Sequence, residues 1–258
     1  MKRRDGHLHS LPRLLRDILM VLLLTLLTQV GGLAWMASRL FRRSLPTFLL
    51  IYVALSAGAA ALAPTYGRAP VNCLGDGALQ MQSWTYCVLN RNFISPELAQ
   101  VLEETAAEMN QRHPGTITLL LDANFPFFNG FPLLPHLSHD DGRKADLAFY
   151  YRDETGYLPG KTRSPIGYFA FEEGPTRCPD RRPTLRWDMA ALQPLWPDYA
   201  LDRARNRAVL AILAEDRRVG KIFVEPHVAR DLSVTSEKIR FQGCRAARHD
   251  DHIHLQLP

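Results

Sequence analysis

The sequence predicts an α+β domain with a small antiparallel sheet, flanking helices and long loops, preceded by N-terminal membrane segments. Two long apolar segments lie within residues 1–63, whereas the rest of the chain alternates short apolar runs of strand length with segments of helical period. Stretches rich in proline, glycine and aromatic residues separate these elements. We therefore divide the chain into a basic tail with one or two membrane segments at 1–63, a short linker at 64–72 and one domain at 73–258.

The first apolar segment covers residues 18–37 and the second covers residues 48–63, so each is long enough or nearly long enough to cross a bilayer. Basic residues precede the first segment and separate it from the second: Lys2, Arg3, Arg4, Arg13, Arg16, Arg39, Arg42 and Arg43. Because basic flanks favour the cytoplasmic side, both ends of the first segment are expected there, and the domain is expected on the opposite side.

Three arrangements of these segments stay open. In the first, residues 18–37, interrupted by Gln29 and Gly31-Gly32, re-enter the membrane or lie in its interface, and residues 48–63 are the sole crossing. In the second, both segments cross as a hairpin with a translocated basic tail. In the third, both cross and the domain is cytoplasmic.

The second segment also has small residues typical of a signal-peptidase site, but Pro64 follows the best site, which favours retention as an anchor.

Within the domain, Ser95-Pro96-Glu97 supplies the cap and first turn of a helix that extends to about Gln111. The other predicted elements are a helix at Leu201–Asp216 and buried strands at Thr116–Leu121, Leu147–Tyr151 and Lys221–Val224. Residues 123–144 and 152–196 are rich in proline, glycine and aromatics, and we expect them to form long loops that build the walls of a groove.

Histidine and aspartate residues are concentrated in two short stretches. The first is His136-Leu-Ser-His139-Asp-Asp-Gly142-Arg-Lys-Ala-Asp146, and the second is His249-Asp-Asp-His252-Ile-His254. On a strand, His252 and His254 point to the same side while Ile253 points into the core. A turn at Gly142 can fold the first stretch back on itself, which brings His139 over Asp146.

This set of side chains is typical of a metal site. A catalytic zinc ion takes about three protein ligands and keeps one position open, and His139, Asp146 and His254 supply three ligands. Imidazole and carboxylate favour Zn²⁺ but tolerate other divalent ions. The chemistry that the sequence suggests is metal-assisted hydrolysis.

The pattern Ser138-His139-x-x-Gly142-x-x-x-Asp146, followed far downstream by His252-x-His254, resembles the zinc peptidase superfamily that includes lysostaphin, D-Ala-D-Ala metallopeptidases and the hedgehog signalling domain. A narrower resemblance, to penicillin-insensitive murein endopeptidases, covers roughly residues 116–257. It is carried by His136, by His249-Asp-Asp-His-Ile-His254, and by Asp202-Arg-Ala-Arg-Asn206 leading to Ile222-Phe223-Val224-x-Pro226. The chain departs from that family at Glu225-Pro226-His227 and over residues 165–196.

The resemblance implies a role for each matched residue. His139, Asp146 and His254 would bind zinc, and His252 would act as general base or stabilise the transition state. His136 and His249 would line the site and hydrogen-bond its water or substrate. The ordinary alternatives are an inactive relative that keeps the fold, a His252 that only orients a ligand, and turn residues at His136 and His249.

Four further acidic or basic side chains lie beside these motifs. Asp251 lies three residues before His254, where the dipeptidase branch of the superfamily places a catalytic Glu, so a base role is open. Strand alternation, however, puts Asp250 rather than Asp251 on the side of the histidines, and we expect both to support the site or to be solvated. Glu225 and His227 follow a predicted strand, and loop residues are the simpler interpretation for them.

All four cysteines lie beyond the membrane segments, an even count that fits disulfides in an oxidising compartment. Proximity in the chain suggests Cys73 with Cys87, which leaves Cys178 with Cys244. Four unrelated buried thiols are an equally open alternative.

The net charge of +5 lies largely in the membrane-proximal residues and gives little reason to expect nucleic acid as a partner. The sequence also has no Walker-type phosphate loop or dinucleotide fingerprint, so no nucleotide partner is expected. A local basic set could meet an anionic polymer or simply be a solvated face: Lys161, Arg163, Arg177, Arg181 and Arg182.

Taken with the resemblance, these features imply a membrane-anchored zinc metallopeptidase that hydrolyses peptide cross-links in peptidoglycan. It would lie in the bacterial inner membrane with its catalytic domain in the periplasm. One alternative is a D,D-carboxypeptidase acting on uncross-linked stem peptides. Others are a non-catalytic zinc-containing protein that binds the cell wall and a cytoplasmic peptidase acting on soluble D-peptides.

Overall fold

The structure is a computed structural model that describes residues 10–41, 44–178 and 190–258. Predictions that fall on other residues, including the N-terminal basic tail, Arg42, Arg43, Arg181 and Arg182, lie outside the described residues. The helices are α1 (Ser10–Thr28), α2 (Gly31–Ser38), α3 (Ser44–Leu62), α4 (Trp84–Val88), α5 (Pro96–Arg112), α6 (Arg203–Glu215) and α7 (Pro226–Asp231). Short 3-10 helices cover Ala63–Tyr66 and Ala190–Leu195.

The strands are β1 (Ala69–Pro70), β2 (Leu79–Met81), β3 (Phe93–Ile94), β4 (Thr118–Leu120), β5 (Lys144–Ala148), β6 (Tyr151–Asp153), β7 (Gly156–Tyr157), β8 (Ala200–Leu201), β9 (Lys221–Phe223), β10 (Ile239–Arg240) and β11 (His252–Gln256). Six of them form the main sheet in the order β10-β9-β11-β5-β4-β2. The four central strands pair antiparallel, whereas β10 and β2 join the two edges in parallel. The predicted α+β class with small antiparallel sheets is confirmed, and the parallel edge strands are an addition to it.

Helices α5 and α6 form where the sequence predicts them, because both have a capped start and one apolar face. Ser95 Oγ accepts from the amide of Leu98 at the start of α5, and Asp202 Oδ1 accepts from the amide of Arg205 at the start of α6. The apolar faces of both helices join the buried core that also contains Ile253 and Leu255 of β11. Strand β11 is thereby fixed between β9 and β5 in the middle of the sheet.

The predicted strand at 147–151 differs from the structure. Strand β5 runs from Lys144 to Ala148 and a separate strand, β6, begins at Tyr151 in a three-stranded sheet. The side chain of Asn206 explains this break, because it accepts from the amide of Tyr150 and donates to the carbonyl of Tyr150. A side chain on α6 thus replaces the neighbouring strand at that point.

The first apolar segment is broken into a helical hairpin at the position where the sequence places Gln29 and two glycines. Gln29 has a φ of 66°, and α2 then runs back along α1. At Gly31 an added Cβ would lie 2.5 Å from Thr28 Oγ1, and at Gly32 it would lie 2.0 Å from Thr25 Oγ1. Only glycine permits this close approach of two helices.

The hairpin returns only to the middle of α1. Arg39, just after α2, places its Nε 3.3 Å from Oδ2 of Asp17, which is the eighth of the nineteen residues of α1. Helix α3 then runs in the direction of α1, with the ring of Phe48 against Trp35 at a centroid distance of 5.7 Å. Within residues 10–41, 44–178 and 190–258, one helix is long and apolar enough to cross a membrane by length and composition, at Leu45–Tyr66 with a mean hydropathy of 1.9.

Polar contacts join the hairpin and α3 to the domain. The amide group of Gln29 donates to the carbonyl of Phe127 and accepts from its N–H, both at 2.9 Å. Asn90 Nδ2 donates to the carbonyl of Thr28 at 3.2 Å and lies within hydrogen-bond distance of Tyr52 Oη and Ser56 Oγ on α3. Tyr52 in turn donates to the carbonyl of Val88.

Residues 64–72, expected to be a linker, have defined structure instead. The 3-10 helix ends at Tyr66, whose ring packs edge-on against Phe127 and Phe128. Arg68 is buried and donates to Asn129 Oδ1 at 2.6 Å. Strand β1 then pairs with β3, so the folded domain begins before residue 73 and joins α3 directly.

The four cysteines form two disulfides, Cys73–Cys87 and Cys178–Cys244. Pairing, one of the two possibilities left open by the sequence, is therefore what the structure has. The first disulfide ties the chain after β1 to α4, and the second ties the two long loops that precede α6 and β11.

Candidate metal centre

Asp146 and His254 lie opposite each other on neighbouring strands. In the antiparallel pairing of β5 with β11 they are in register, so their side chains leave the sheet on the same face. Asp146 Oδ1 and His254 Nδ1 are 2.8 Å apart, and both residues are buried. His252, two residues earlier on β11, faces the same side, as the sequence alternation predicts.

His139 reaches the same place from the loop between β4 and β5, residues 121–143, called the β4–β5 loop below. Its Nε2 lies 3.3 Å from Asp146 Oδ1 and 3.1 Å from His254 Nδ1. Its Nδ1 donates to the carbonyl of Ala123 at 2.9 Å, so the Nε2 lone pair faces the site. The turn that returns the chain to β5 is at Gly142, with a φ of 78°, as predicted.

These three ligand atoms are spaced as a tetrahedral metal site requires. Their separations are 2.8, 3.1 and 3.3 Å. Zinc bonds to nitrogen and oxygen of about 2.0–2.1 Å give ligand separations of roughly 3.3 Å in a tetrahedron. The three atoms therefore converge on the volume of a single small cation.

The electrostatics of this cluster favour an ionised carboxylate. Burial acts to raise the pKa of Asp146, but the surrounding His139, His252 and His136 outweigh burial and hold that pKa well below its usual range. Burial lowers the pKa of His254 to about 4, helped by the neighbouring imidazoles. A neutral imidazole and an ionised carboxylate are the forms that bind a metal ion.

His136 lies on the other side of the same carboxylate. Its Nδ1 is 2.9 Å from Asp122 Oδ2 and 3.4 Å from Asp146 Oδ2. His136, His139 and Asp146 form a group whose ligand atoms all lie within 4.8 Å of one another and could hold a metal ion. His136 thus competes with His254 for the third ligand position, which the sequence analysis did not foresee.

His252 lies beside the candidate ligands without replacing any of them. Its Nε2 is 3.7 Å from Asp146 Oδ1, and its Nδ1 is 2.5 Å from Asp251 Oδ1. The other oxygen of Asp251 accepts from the amide of Phe169 at 2.6 Å. Asp251 is therefore buried and holds the His252 ring by one oxygen while the backbone fixes the other.

His249 lines the same space. Its ring centroid is 4.9 Å from that of His252 and 5.5 Å from that of His254. Burial lowers the pKa of His249 well below its usual value, and the nearby His252 and His254 add to the effect. His249 is thus a neutral side chain in the wall of the site rather than a member of the ligand cluster.

Several polar side chains contact the candidate ligands, and most of them could not be predicted from the sequence. Asp122 is buried and accepts from Nε and Nη2 of the Arg91 guanidinium, and it also pairs with His136. Tyr168 donates to Asp146 Oδ2 at 2.7 Å, and Gln256 Nε2 lies 3.0 Å from His254 Nε2. Only Gln256 had a sequence signal, since it shares the alternation of His252 and His254 on β11.

A cavity of about 580 Å³ opens above the candidate ligands. Its wall contains all five histidines of the cluster together with Leu134, Leu137 and Phe169. A second cavity of about 210 Å³ adjoins it, shares His136 and His252 with it, and is lined further by Tyr86 and Arg248. The two cavities share five lining residues: Pro135, His136, Phe169, Ala247 and His252.

The remaining acidic and basic candidates lie outside the ligand cluster. Glu225 and His227 are buried at the start of α7, and His227 Nε2 donates to the carbonyl of Glu172 at 3.1 Å. Asp250 is buried and pairs with Arg248. Of the basic set, Arg163 is nearly buried and bonds to the carbonyl of Tyr199, so it is not part of a solvated face.

Comparison of this chain with protein-family models and with curated proteins finds no match. The case for a function therefore depends on the geometry of the site.

Proposed function

We propose that this protein is a membrane-anchored zinc peptidase that hydrolyses peptide cross-links in peptidoglycan. The observation that carries the proposal is the convergence of His139 Nε2, Asp146 Oδ1 and His254 Nδ1 beside an oriented His252. A structural zinc site is closed by four ligands, whereas this cluster has three at tetrahedral spacing and a fourth direction open to a cavity.

Each residue of the site would have a distinct role in binding the ion or orienting its ligands. His139, Asp146 and His254 hold the ion, which, when bound, polarises a carbonyl and lowers the pKa of water. With the ion on His254 Nδ1, its Nε2 carries the proton, and that N–H donates a hydrogen bond to Gln256 Oε1 in the alternative orientation of the amide.

His252 is the residue placed to move a proton. Asp251 fixes its Nδ1, so its Nε2 faces the cavity next to Asp146. This is the relation of a base to an orienting carboxylate that general acid–base catalysis requires. His136 and His249 line the cavity, where they can hydrogen-bond the substrate carbonyl or the departing amine.

The two adjoining cavities favour an endopeptidase over a carboxypeptidase. A cross-link continues on both sides of the bond that is cut, and two adjoining cavities that share His136 and His252 offer room for more than one peptide segment. A carboxypeptidase needs a closed end with a partner for the terminal carboxylate. Arg248 in the smaller cavity could supply one, so trimming of free stem peptides stays the second candidate.

We further propose that α3 crosses the inner membrane and that the domain lies in the periplasm. The hairpin turns back at Gln29 and brings Arg39 beside Asp17, next to Arg16 in the middle of α1, so Arg16 and Arg39 can share the cytoplasmic side. This is the re-entrant arrangement among the three that the sequence left open. Two disulfides support an oxidising compartment for the domain.

The test is mass spectrometry of cross-linked muropeptides incubated with the full-length protein in detergent, with a chelator and then with zinc restored. Chelator-sensitive conversion of dimers to monomers is expected, and product masses identify the bond. His252→Ala should abolish conversion while the protein still binds zinc, and His113→Ala, at a histidine outside the site, should leave conversion unchanged. Loss of the terminal residue from free stems, with dimers intact, would favour the carboxypeptidase; a zinc-loaded protein that changes neither would refute both.

A further inference from the structure

Phe169 has a backbone conformation that is rare for a bulky side chain. Its φ is 64°, in the left-handed region, where the Cβ is crowded by the following carbonyl group. Such strain persists only where the surrounding structure holds it, and it is concentrated at functional sites. Phe169 lies at such a place, because it lines both cavities at the candidate metal centre.

Both backbone polar groups of Phe169 are bound by side chains from distant parts of the chain. Its N–H donates to Asp251 Oδ2 at 2.6 Å, and its carbonyl accepts from Trp196 Nε1 at 3.1 Å. Two residues later, the side-chain amide of Gln193 accepts from the N–H of Phe171 at 3.0 Å and donates to its carbonyl at 2.8 Å. These contacts hold the backbone at the left-handed residue and just after it.

The bond from Phe169 to Asp251 leads directly to the proposed base. The same carboxylate places its Oδ1 2.5 Å from His252 Nδ1, and both Asp251 and His252 are buried. One oxygen thus binds the imidazole while the other accepts from the backbone N–H of Phe169. A carboxylate held in this way cannot rotate freely, so the orientation of His252 depends on where the Phe169 N–H points.

The sign of φ at Phe169 decides where this N–H points. Rotation about the N–Cα bond turns the whole peptide group that joins Phe169 to Tyr168. A change to the φ of regular helices and strands, about −60° to −140°, would turn this peptide group by about 120° or more. The N–H would then leave Asp251, because Trp196 and Gln193 hold the backbone that follows.

We propose that Phe169 is a positioning residue whose left-handed backbone aligns His252 through Asp251. The inference rests on the proposed function, in which His252 moves a proton, and it adds the residue that keeps the imidazole oriented. The side chain has a separate use. Because both backbone polar groups are bound elsewhere, the ring is the part of Phe169 left to contact a substrate in the two cavities.

Glycine and valine at position 169 separate the role of the backbone from that of the ring. Glycine adopts a positive φ readily, whereas a β-branched residue resists it, and both substitutions remove the ring. The test compares Phe169→Gly and Phe169→Val in the full-length, zinc-loaded protein in detergent. The matched controls are Phe128→Gly and Phe128→Val, because Phe128 also has a positive φ, 54°, and lies outside the described walls of both cavities.

The first measurement is proton NMR of protein with isotope-labelled histidine. An imidazole N–H bound to a carboxylate gives a resonance far downfield, and the resonance of His252 is assigned by its loss in His252→Ala. We expect this resonance in the wild type, in both Phe128 variants and in Phe169→Gly. It should be lost or shifted upfield in Phe169→Val and in Asp251→Ala.

The second measurement is kcat and KM for cross-linked muropeptides at saturating zinc. Phe169→Gly should keep a kcat close to that of the wild type and raise KM, because the backbone donor stays and the ring is lost. Phe169→Val should raise KM and also lower kcat by roughly 10-fold or more, since a positioned base contributes about 10²- to 10⁴-fold to the rate.

The resonance decides the inference without relying on activity. If Phe169→Gly and Phe169→Val both keep it, or both lose it, the left-handed backbone does not position His252 and the inference is overturned. If thermal unfolding shows that Phe169→Val is not folded, Phe169→Ala takes its place, since alanine also disfavours a positive φ. The expected resonances with uncut muropeptides in the wild type would refute the proposed peptidase and leave the alignment of His252 in place.

Discussion

The two oxygens of Asp146 have different neighbours, and this difference distinguishes the candidate metal ligands from the side chains that support them. Oδ1 faces His139 Nε2 and His254 Nδ1, whereas Oδ2 accepts from Tyr168 and faces His136. His136 Nδ1 is also closer to Asp122 than to Asp146. An ion on Oδ1 therefore has His254 as its third ligand, and His136 is committed to Asp122.

This assignment predicts opposite results for two alanine variants. His254→Ala should reduce zinc affinity to that of His139→Ala, because each variant leaves only two ligands. His136→Ala should keep bound zinc, since it removes a neighbour of Oδ2 only. Zinc content after dialysis and competition with a chromogenic chelator measure both. If His136→Ala loses zinc and His254→Ala keeps it, His136 is the third ligand. That result would agree with the group of His136, His139 and Asp146, whose ligand atoms also lie close together.

Tyr168 should tune the metal without touching it. Its hydroxyl donates to Asp146 Oδ2 at 2.7 Å and so fixes the orientation of the carboxylate. Loss of such a partner typically costs about 10- to 100-fold in metal affinity, and we expect that range for Tyr168→Phe. The matched control is Tyr157→Phe, which removes a hydroxyl that bonds to Ile117 far from the site. Equal affinities in the two variants would refute this role.

At the scale of elements, the hairpin and the β4–β5 loop are joined by one side chain. Gln29→Ala would leave both the N–H and the carbonyl of Phe127 without their partner, and each buried unsatisfied group costs about 1–3 kcal/mol. We expect faster hydrogen exchange at residues 126–130 in the full-length protein, measured by mass spectrometry. Gln100→Ala, on the exposed face of α5, should leave exchange in this segment unchanged. Unaltered exchange in Gln29→Ala would mean that the loop is held by other contacts.

The loop before the Cys178–Cys244 disulfide contains a carboxyl group that should make stability depend on pH. Burial raises the pKa of Glu172 to about 7, from its ordinary value of 4.5; Arg163 opposes this shift and Asp250 adds to it. Between pH 4.5 and 7 the folded state therefore binds more protons than the unfolded state. The free energy of unfolding falls as the pH rises through this window, because ionisation of the buried Glu172 destabilises the folded state. The loss is at most about 3 kcal/mol.

Glu172→Gln should remove this dependence. We expect the variant to gain stability relative to the wild type at pH 8 and to differ least near pH 4.5, as measured by thermal unfolding of the zinc-loaded protein at several pH values. Glu173→Gln, at an exposed neighbour, is the control. If the difference in unfolding temperature between the wild type and Glu172→Gln is the same at every pH, Glu172 does not titrate in this range.

At the scale of the whole molecule, the metal site joins parts of the chain that are far apart in sequence. His139 and His254 are separated by 115 positions and belong to the β4–β5 loop and to β11. An ion bound only by the folded state should stabilise it by about 4 kcal/mol when free zinc is 1,000 times the Kd. A chelator should therefore lower the unfolding temperature of the wild type and not that of His139→Ala. Equal shifts in both would place the stabilising ion elsewhere.

Much of this organisation could be predicted from sequence, because it depends on local periodicity. The helix predicted from Ser95 to about Gln111 is observed at Pro96–Arg112, and the alternation of His252 and His254 holds on β11. The interruption at Gln29 and the two glycines also marks the break between α1 and α2. These features each follow from neighbouring residues in the chain.

The parts that could not be predicted depend on distant contacts. Asp122 and Tyr168 reach the site from a strand end and a loop, and no spacing links either residue to Asp146. The break between β5 and β6 depends on Asn206, more than fifty positions later. The linker expected from proline and glycine at 64–72 is instead held by the burial of Arg68. Composition alone could not indicate the partners that order it.

The direct joint between α3 and the domain limits where this protein can act. A flexible tether would let a catalytic domain sample a volume above the membrane, with a reach that grows with tether length. Here Tyr66, Arg68 and β1 are all bound to the domain, so no such freedom exists between the anchor and the metal site. In the proposed membrane-anchored arrangement, the site would keep one fixed height and move only as α3 diffuses laterally. Encounters with the proposed peptidoglycan substrate would then be confined to a thin layer next to the lipid, and more distant layers of a cell wall would lie out of range.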